Sequence, residues 1–170
     1  MNLFVTVGTT SFVTLIERID TPEFLDQLIS KGFKSITIQT GKIDYKPKHL
    51  PKYQNLESEV YGLKPSIAQD FQKCDLVISH AGAGTIFEAL YLKKSLIVVA
   101  NNTLMDNHQV EIAEEMKKKK YLDYCSDVSR LVEVFKNFEP ENIVPLPRPN
   151  TLNFKQLIDE HMGFSKKKQD

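Results

Sequence analysis

Asp75-Leu76-Val77-Ile78-Ser79-His80-Ala81-Gly82-Ala83-Gly84-Thr85 is the stretch on which the fold turns. The apolar run Leu76-Val77-Ile78, two of its residues β-branched, leads through Ser79 and His80 into a glycine-rich turn, and a helical pattern follows to about Leu92. An apolar run that does not alternate suits a strand buried on both faces, as in a parallel sheet. The same unit recurs on either side. Leu3 to Val7 stops at Gly8, Ser35 to Thr40 stops at Gly41, and Leu96 to Ala100 leads into the helical pattern Asp106 to Lys119, with Val110, Ala113 and Met116 inward. Residues 22–31 read as a helix with Pro22 early and Phe24, Leu25, Leu28 and Ile29 on one face. Weaker signals give a strand over 53–60, a helix from Pro65 to Gln72, an edge strand at Tyr121 to Tyr124 and a helix from Val128 to Phe138. The alternation predicts an α/β fold, a Rossmann-like parallel sheet with helices on both faces.

The chain of 170 residues suits one domain, and 41% apolar content is enough for a core without disulfides or metal. Its 22 basic and 22 acidic residues cancel, so no whole-molecule field attracts nucleic acid. The longest apolar runs fall far short of the ~20 residues that span a bilayer. No basic leader precedes Leu3, and Cys74 and Cys125 lack metal-type spacing, so a cytosolic protein with buried thiols is expected. Residues 1–139 form the expected domain. Pro140, Pro145, Pro147 and Pro149 then mark an arm, expected to run extended, before a helix from Leu152 to Met162. That arm and helix either pack back on the domain or reach a partner.

In such a sheet ligands bind beyond the carboxyl ends of the strands. Three loops there stand out: Gly8-Thr9-Thr10-Ser11, Ser79 to Thr85, and Asn101 to Gln109. In the second, Gly82, Ala83, Gly84 and Thr85 open a helix whose free N–H groups and dipole suit a diphosphate. His80 adds a donor, and Glu88, a turn further on, has a carboxylate for ribose hydroxyls. The two glycines equally suit a plain strand-to-helix turn, and both readings stay open here. The motif lacks the third glycine of G-x-G-x-x-G and the G-K-[ST] of a P-loop. Asn107, His108 and Gln109 both donate and accept, as sugar hydroxyls require, although Asp106 or Asn107 also suits a helix cap.

The runs S-H-A-G-A-G-T-I-F-E, K-x-L-I-V-V-x-N and L-M-D-N-H-Q, with V-G-T-T-S-F near the start, resemble the carboxyl-terminal half of GT-B glycosyltransferases of family 28. Within it they are most similar to the small eukaryotic subunits that transfer GlcNAc from UDP-GlcNAc to dolichol-linked GlcNAc diphosphate. The resemblance covers residues 1 to about 125. It implies that His80, Gly82, Ala83, Gly84 and Thr85 cradle the diphosphate and that Glu88 holds the ribose. It places GlcNAc at His108 and Gln109 with Asn107 nearby, turns Gly8, Thr9, Thr10 and Ser11 toward the diphosphate and the incoming acceptor, and puts uracil at the backbone around Val60-Tyr61-Gly62. It also implies a membrane-anchored partner subunit bearing the acceptor half, action at the cytosolic face of the endoplasmic reticulum, and no cofactor or obligatory metal. No residue of this chain makes a convincing general base, so the base is expected on the partner; His49 and His161 read as surface residues. Two rivals share the donor loops. A GT-B epimerase needs both halves in one chain, and a non-enzymatic UDP-sugar-binding or regulatory module needs only the binding residues.

Overall fold

The computed structural model describes residues 1–101 and 107–147, with residues 107–109 placed only as backbone of a helix. Six parallel strands form one sheet, β1 (Asn2–Thr6), β2 (Ser35–Gln39), β3 (Glu57–Tyr61), β4 (Leu76–His80), β5 (Ser95–Val99) and β6 (Asp123–Cys125), in the order β3-β2-β1-β4-β5-β6. The continuous apolar strands have the predicted cause. Leu3, Val5, Ile36, Ile38, Leu76, Ile78, Ile97 and Val99 face one layer of core, whereas Phe4, Val77, Leu96 and Val98 face the other.

Helices α1 (Val13–Ile19), α2 (Pro22–Ser30) and α6 (Leu131–Asn137) close the first layer, with Phe24 tilted against Phe135 at 4.9 Å between centroids. Helices α3 (Ala68–Lys73), α4 (Ala83–Tyr91) and α5 (Asn107–Lys118) close the second, where Phe71 meets Phe4 edge-on. Ala113 is buried, and Val110 and Met116 pack partly buried beside it, as expected.

Four details differ from the sequence reading. Helix α1 went unread, although Phe12, Leu15, Ile16 and Ile19 have helical spacing and all are buried. In α2, Ile29 is 37% exposed, because the chain turns back at Gly32 (φ +81°) and Phe33 supplies the next buried ring. The segment 128–138 begins with a 3-10 turn at Val128–Arg130 before α6. Pro140 starts another such turn, Pro140–Asn142, because a proline at a first helical position gives up only an N–H that would be unpaired anyway.

The arm after that turn lies on its own domain as far as residue 147. Ile143 packs on the first core layer, Leu146 on the second, and the Val144 N–H donates to the Lys120 carbonyl at 2.8 Å. The expected helix at Leu152 to Met162, with His161, lies outside the described residues. No described helix is long and apolar enough to cross a membrane.

Candidate functional site

Strand order reverses direction between β1 and β4, which are neighbours although the chain goes from β1 to β2. Loops leaving such a pair diverge to opposite faces of the sheet and open a crevice at its carboxyl edge. The Gly8 loop forms one wall of this crevice, and His80 with the start of α4 the other.

The Gly8 wall is held by a small buried network. The Thr6 hydroxyl donates to Gln39 Oε1, the Gln39 amide donates to the Gly8 carbonyl at 2.7 Å, and the Gly8 N–H donates to Thr6 Oγ1 at 3.1 Å. Gly8 has φ +61°, a conformation that favours glycine. Gln39, 2% exposed, is a positioning residue the sequence reading did not single out. It follows Ser35 and Thr37 on the polar face of β2, so the strand pattern did not mark it out. The Thr10 hydroxyl, expected as a ligand donor, donates instead to the Val7 carbonyl at 2.8 Å and shapes the turn. Thr9 and Ser11 are exposed, and the Asn101 amide donates to the Ser11 carbonyl at 3.3 Å, which ties the first loop to the third.

His80 forms the floor. Its ring lies where side chains of Gly8 and Gly82 would be: a Cβ on Gly8 would come within 2.9 Å of Cε1, and one on Gly82 would collide with Nε2. Only 6% of His80 is exposed, and Nδ1 is buried without a hydrogen-bond partner. Burial pushes the imidazole below its usual pKa, and the Thr6 backbone partly opposes this.

The two glycines of the turn therefore have different jobs. Gly82 is the N-cap of α4 and makes room for the His80 ring, which is a structural requirement. Gly84 is exposed in the first turn of the helix, and a Cβ there would meet no atom within 4 Å. No side chain caps α4, so its first N–H groups, at Ala83, Gly84 and Thr85, are free to meet an anion. Glu88 is exposed one turn on and engages no partner among the described residues.

A second concavity, about 400 Å³, opens between the loops after β2 and β3 and is lined by Thr40 to Tyr45 and Val60 to Leu63. Tyr61 lines it, but not with the free backbone that was expected. Its carbonyl already accepts from the Thr40 N–H at 2.8 Å and the Thr40 hydroxyl at 3.1 Å, as the register of β2 on β3 requires. Its hydroxyl donates to Asp70 at 2.6 Å, and Lys64 sits over its ring at 3.5 Å to the centroid.

The loop that lines this cleft depends on Asp20, which the sequence reading passed over. This carboxylate, 1% exposed, accepts from the Tyr45 hydroxyl at 2.8 Å and from the N–H groups of Lys48, His49 and Leu50 at 2.6, 3.1 and 2.8 Å. Burial, and after it the hydrogen-bonded Asp20 carboxylate, raise the Tyr45 phenol well above its usual pKa. A turn signal at Asp20-Thr21-Pro22 was visible in the sequence; its partners, 25 to 30 residues on, were not.

Of the third loop, residues 102–106 lie outside the described residues, and Asn107, His108 and Gln109 appear only as the first turn of α5, at the same edge of the sheet.

The glycosyltransferase family 28 C-terminal domain matches residues 2–162. The chain belongs to this family. A human protein named UDP-N-acetylglucosamine transferase subunit ALG13 is 43% identical over 124 residues, 73% of this chain and 11% of the human one. The Saccharomyces cerevisiae protein of the same name is 30% identical over 195 residues, 93% of this chain and 94% of its own. This chain thus spans about a tenth of the human and mouse relatives (11% and 10%) and nearly all of the yeast one. The solution structure of an ALG13 superposes with a TM-score of 0.65 at 29% identity, covering 92% of this chain and 94% of that one. The crystal structure of Acinetobacter baumannii MurG gives 0.60 at 17% identity, covering 95% of this chain and 42% of MurG. The likeness to MurG concerns fold alone: this family 28 domain has the architecture of the carboxyl-terminal, Rossmann-like half of a GT-B glycosyltransferase.

In the family 28 domain, Glu88→Ala is expected to weaken UDP-GlcNAc binding about tenfold or more, the effect of one hydrogen bond to a charged group of roughly 1.5–3 kcal/mol. Because the Glu88 side chain has no partner among the described residues, the melting temperature should not move. Calorimetric titration beside a thermal melt checks both; unchanged affinity in the folded variant would remove the ribose assignment.

Proposed function

We propose that this domain is the donor-binding half of an N-acetylglucosaminyltransferase. It holds UDP-GlcNAc in the crevice between β1 and β4, and GlcNAc passes to dolichol-linked GlcNAc diphosphate. The acceptor half is supplied by a second, membrane-anchored subunit at the cytosolic face of the endoplasmic reticulum. The observation that carries this reading is the start of α4 at the carboxyl end of β4, where no side chain caps the N–H groups and the space over Gly84 is open. The printed names of the relatives, transferase subunits for UDP-N-acetylglucosamine, point the same way.

Reaction and geometry fit together as follows. The acceptor 4-hydroxyl attacks the anomeric carbon with inversion, and the bond from that carbon to the β-phosphate oxygen breaks. The electron pair leaves on UDP, and the hydroxyl proton passes to a base. Negative charge grows on the diphosphate, where the N–H groups of Ala83, Gly84 and Thr85 and the dipole of α4 stabilise it. Glu88 orients the ribose, Gly62 and Leu63 meet uracil, and Asn107, His108 and Gln109 hold GlcNAc. Gly8, Thr9 and Ser11 face the incoming acceptor. His80 lies too deep to accept the acceptor proton, so the base belongs to the partner half. With the leaving group stabilised by the helix, a metal ion is not obligatory.

Labelled GlcNAc transfer to a lipid acceptor tests this, with the chain alone, with the membrane fraction that carries its partner, and with that fraction alone. Transfer only in the combined reaction is expected. UDP-GlcNAc binding without transfer in any of the three would favour the non-enzymatic binding module. Deleting residues 151–170 should abolish both partner capture in a pull-down and transfer, yet leave UDP affinity unchanged, since the donor residues all precede residue 110. Capture of the partner by the truncated chain would show that the contact lies elsewhere.

A further inference from the structure

The buried imidazole at the floor of the crevice is left with an unmet need. His80 is closed in by Gly8 and Gly82, and one of its two nitrogens, Nδ1, is buried with no partner. Around it stand Thr6 of β1, Gly8, Val99 of β5 and Gly82 at the start of α4, none of which can carry charge. Among the described residues no charged side chain acts on the ring; burial and the Thr6 backbone are the only influences. The ring is thus a neutral base beside an uncapped helix start that presents free N–H groups.

We propose that His80 takes up a proton when a diphosphate-bearing ligand occupies the start of α4, so that ligand affinity is linked to pH through this one side chain. The physical ground is an imbalance. In the free protein, burial without a counter-charge disfavours the imidazolium, and the Thr6 backbone offsets this only in part. A diphosphate at the N-terminus of α4 brings the missing counter-charge to the wall formed by Gly82, against which Nε2 packs. The proton comes from solvent and no covalent bond changes. The sign follows from linkage: a group whose pKa is low in the free state and higher in the complex binds its ligand more tightly as pH falls between those two values. Affinity should then rise by up to about tenfold per pH unit across that interval. This inference rests on the proposed diphosphate site.

The test is calorimetric titration of the full chain with UDP-GlcNAc from pH 5.5 to 8, in buffers of different ionisation enthalpy. UDP-GlcNAc is chosen because its diphosphate diester lacks the secondary phosphate ionisation near ~6 that UDP would add. The expected result is net uptake of up to one proton per ligand, lost in His80→Gln and retained in His49→Gln. An NMR titration of the His80 ring, free and saturated, should show its pKa rising on binding, and this needs no variant. Binding with no proton uptake, or an unmoved His80 pKa, overturns the inference while leaving the donor site standing. Uptake that persists in His80→Gln overturns it as well. Absence of any binding overturns the donor-site reading itself.

Discussion

The Gly84→Val protein is expected to melt close to the parent and to bind UDP-GlcNAc about a hundredfold more weakly, or worse. The two halves of that expectation come from one geometric fact. A Cβ at Gly84 points into space with no protein atom within 4 Å, so the fold has no objection to an isopropyl group there. Valine is also a better helix former than glycine, by a few tenths of a kcal/mol. The space is empty only of protein, however. A diphosphate drawn to the N–H groups of Ala83, Gly84 and Thr85 must approach through it. Losing even one or two charge-assisted contacts costs roughly 3 kcal/mol, which is about two decades in affinity. Calorimetry and a thermal melt on the same preparation measure the two effects. Early melting with normal binding in the cold would mean that Gly84 is a structural glycine and that the diphosphate does not lie there.

The largest loss of stability is expected at Asp20, well away from the crevice. Asp20→Ala removes the acceptor of three backbone N–H groups and a phenol, in a place where the carboxylate was 1% exposed. Each buried donor left without a partner costs about 1–3 kcal/mol. Some of the freed groups will reach water as the loop loosens, so a net loss of roughly 3–5 kcal/mol is the expected range. For a chain of this size that is a fall of about 10–15 °C in melting temperature. Asp20→Asn is the sharper variant, since it keeps the shape but turns N–H groups toward N–H groups, and it should recover little. The loop after β2 lines the cleft at Tyr61, so uracil affinity should fall as well. A melting temperature within 2–3 °C of the parent, below the shift of about 1 kcal/mol, would show that water replaces this carboxylate readily.

What was legible in the sequence was whatever depends on short-range pattern. Unbroken apolar strands such as Leu76 to Ser79, each ending near a glycine or polar turn, required burial on both faces. That burial required helices on both sides of a parallel sheet, and the crevice at its carboxyl edge came with it. Of the residues bearing the family resemblance, Gly8 to Ser11 and His80 to Thr85 lie at this edge. Helix α1 was equally legible, at Phe12, Leu15, Ile16 and Ile19.

Only the tertiary structure decided which chemical group does what. Gly82 and Gly84 are two identical letters two positions apart. The His80 ring fills the space over one and leaves the space over the other open, because the first is the N-cap and the second already follows the helix spiral away from β4. Thr10 and Tyr61 have the right functional groups for a ligand, but the turn at Val7 and the pairing of β2 with β3 had already claimed them. Asp20 and Gln39 acquire their roles from backbone groups some thirty residues distant, at separations of 28 to 31. A hydrogen bond needs its donor and acceptor within about 3 Å, and which distant groups meet that condition is settled by how the strands stack, not by the local order of residues.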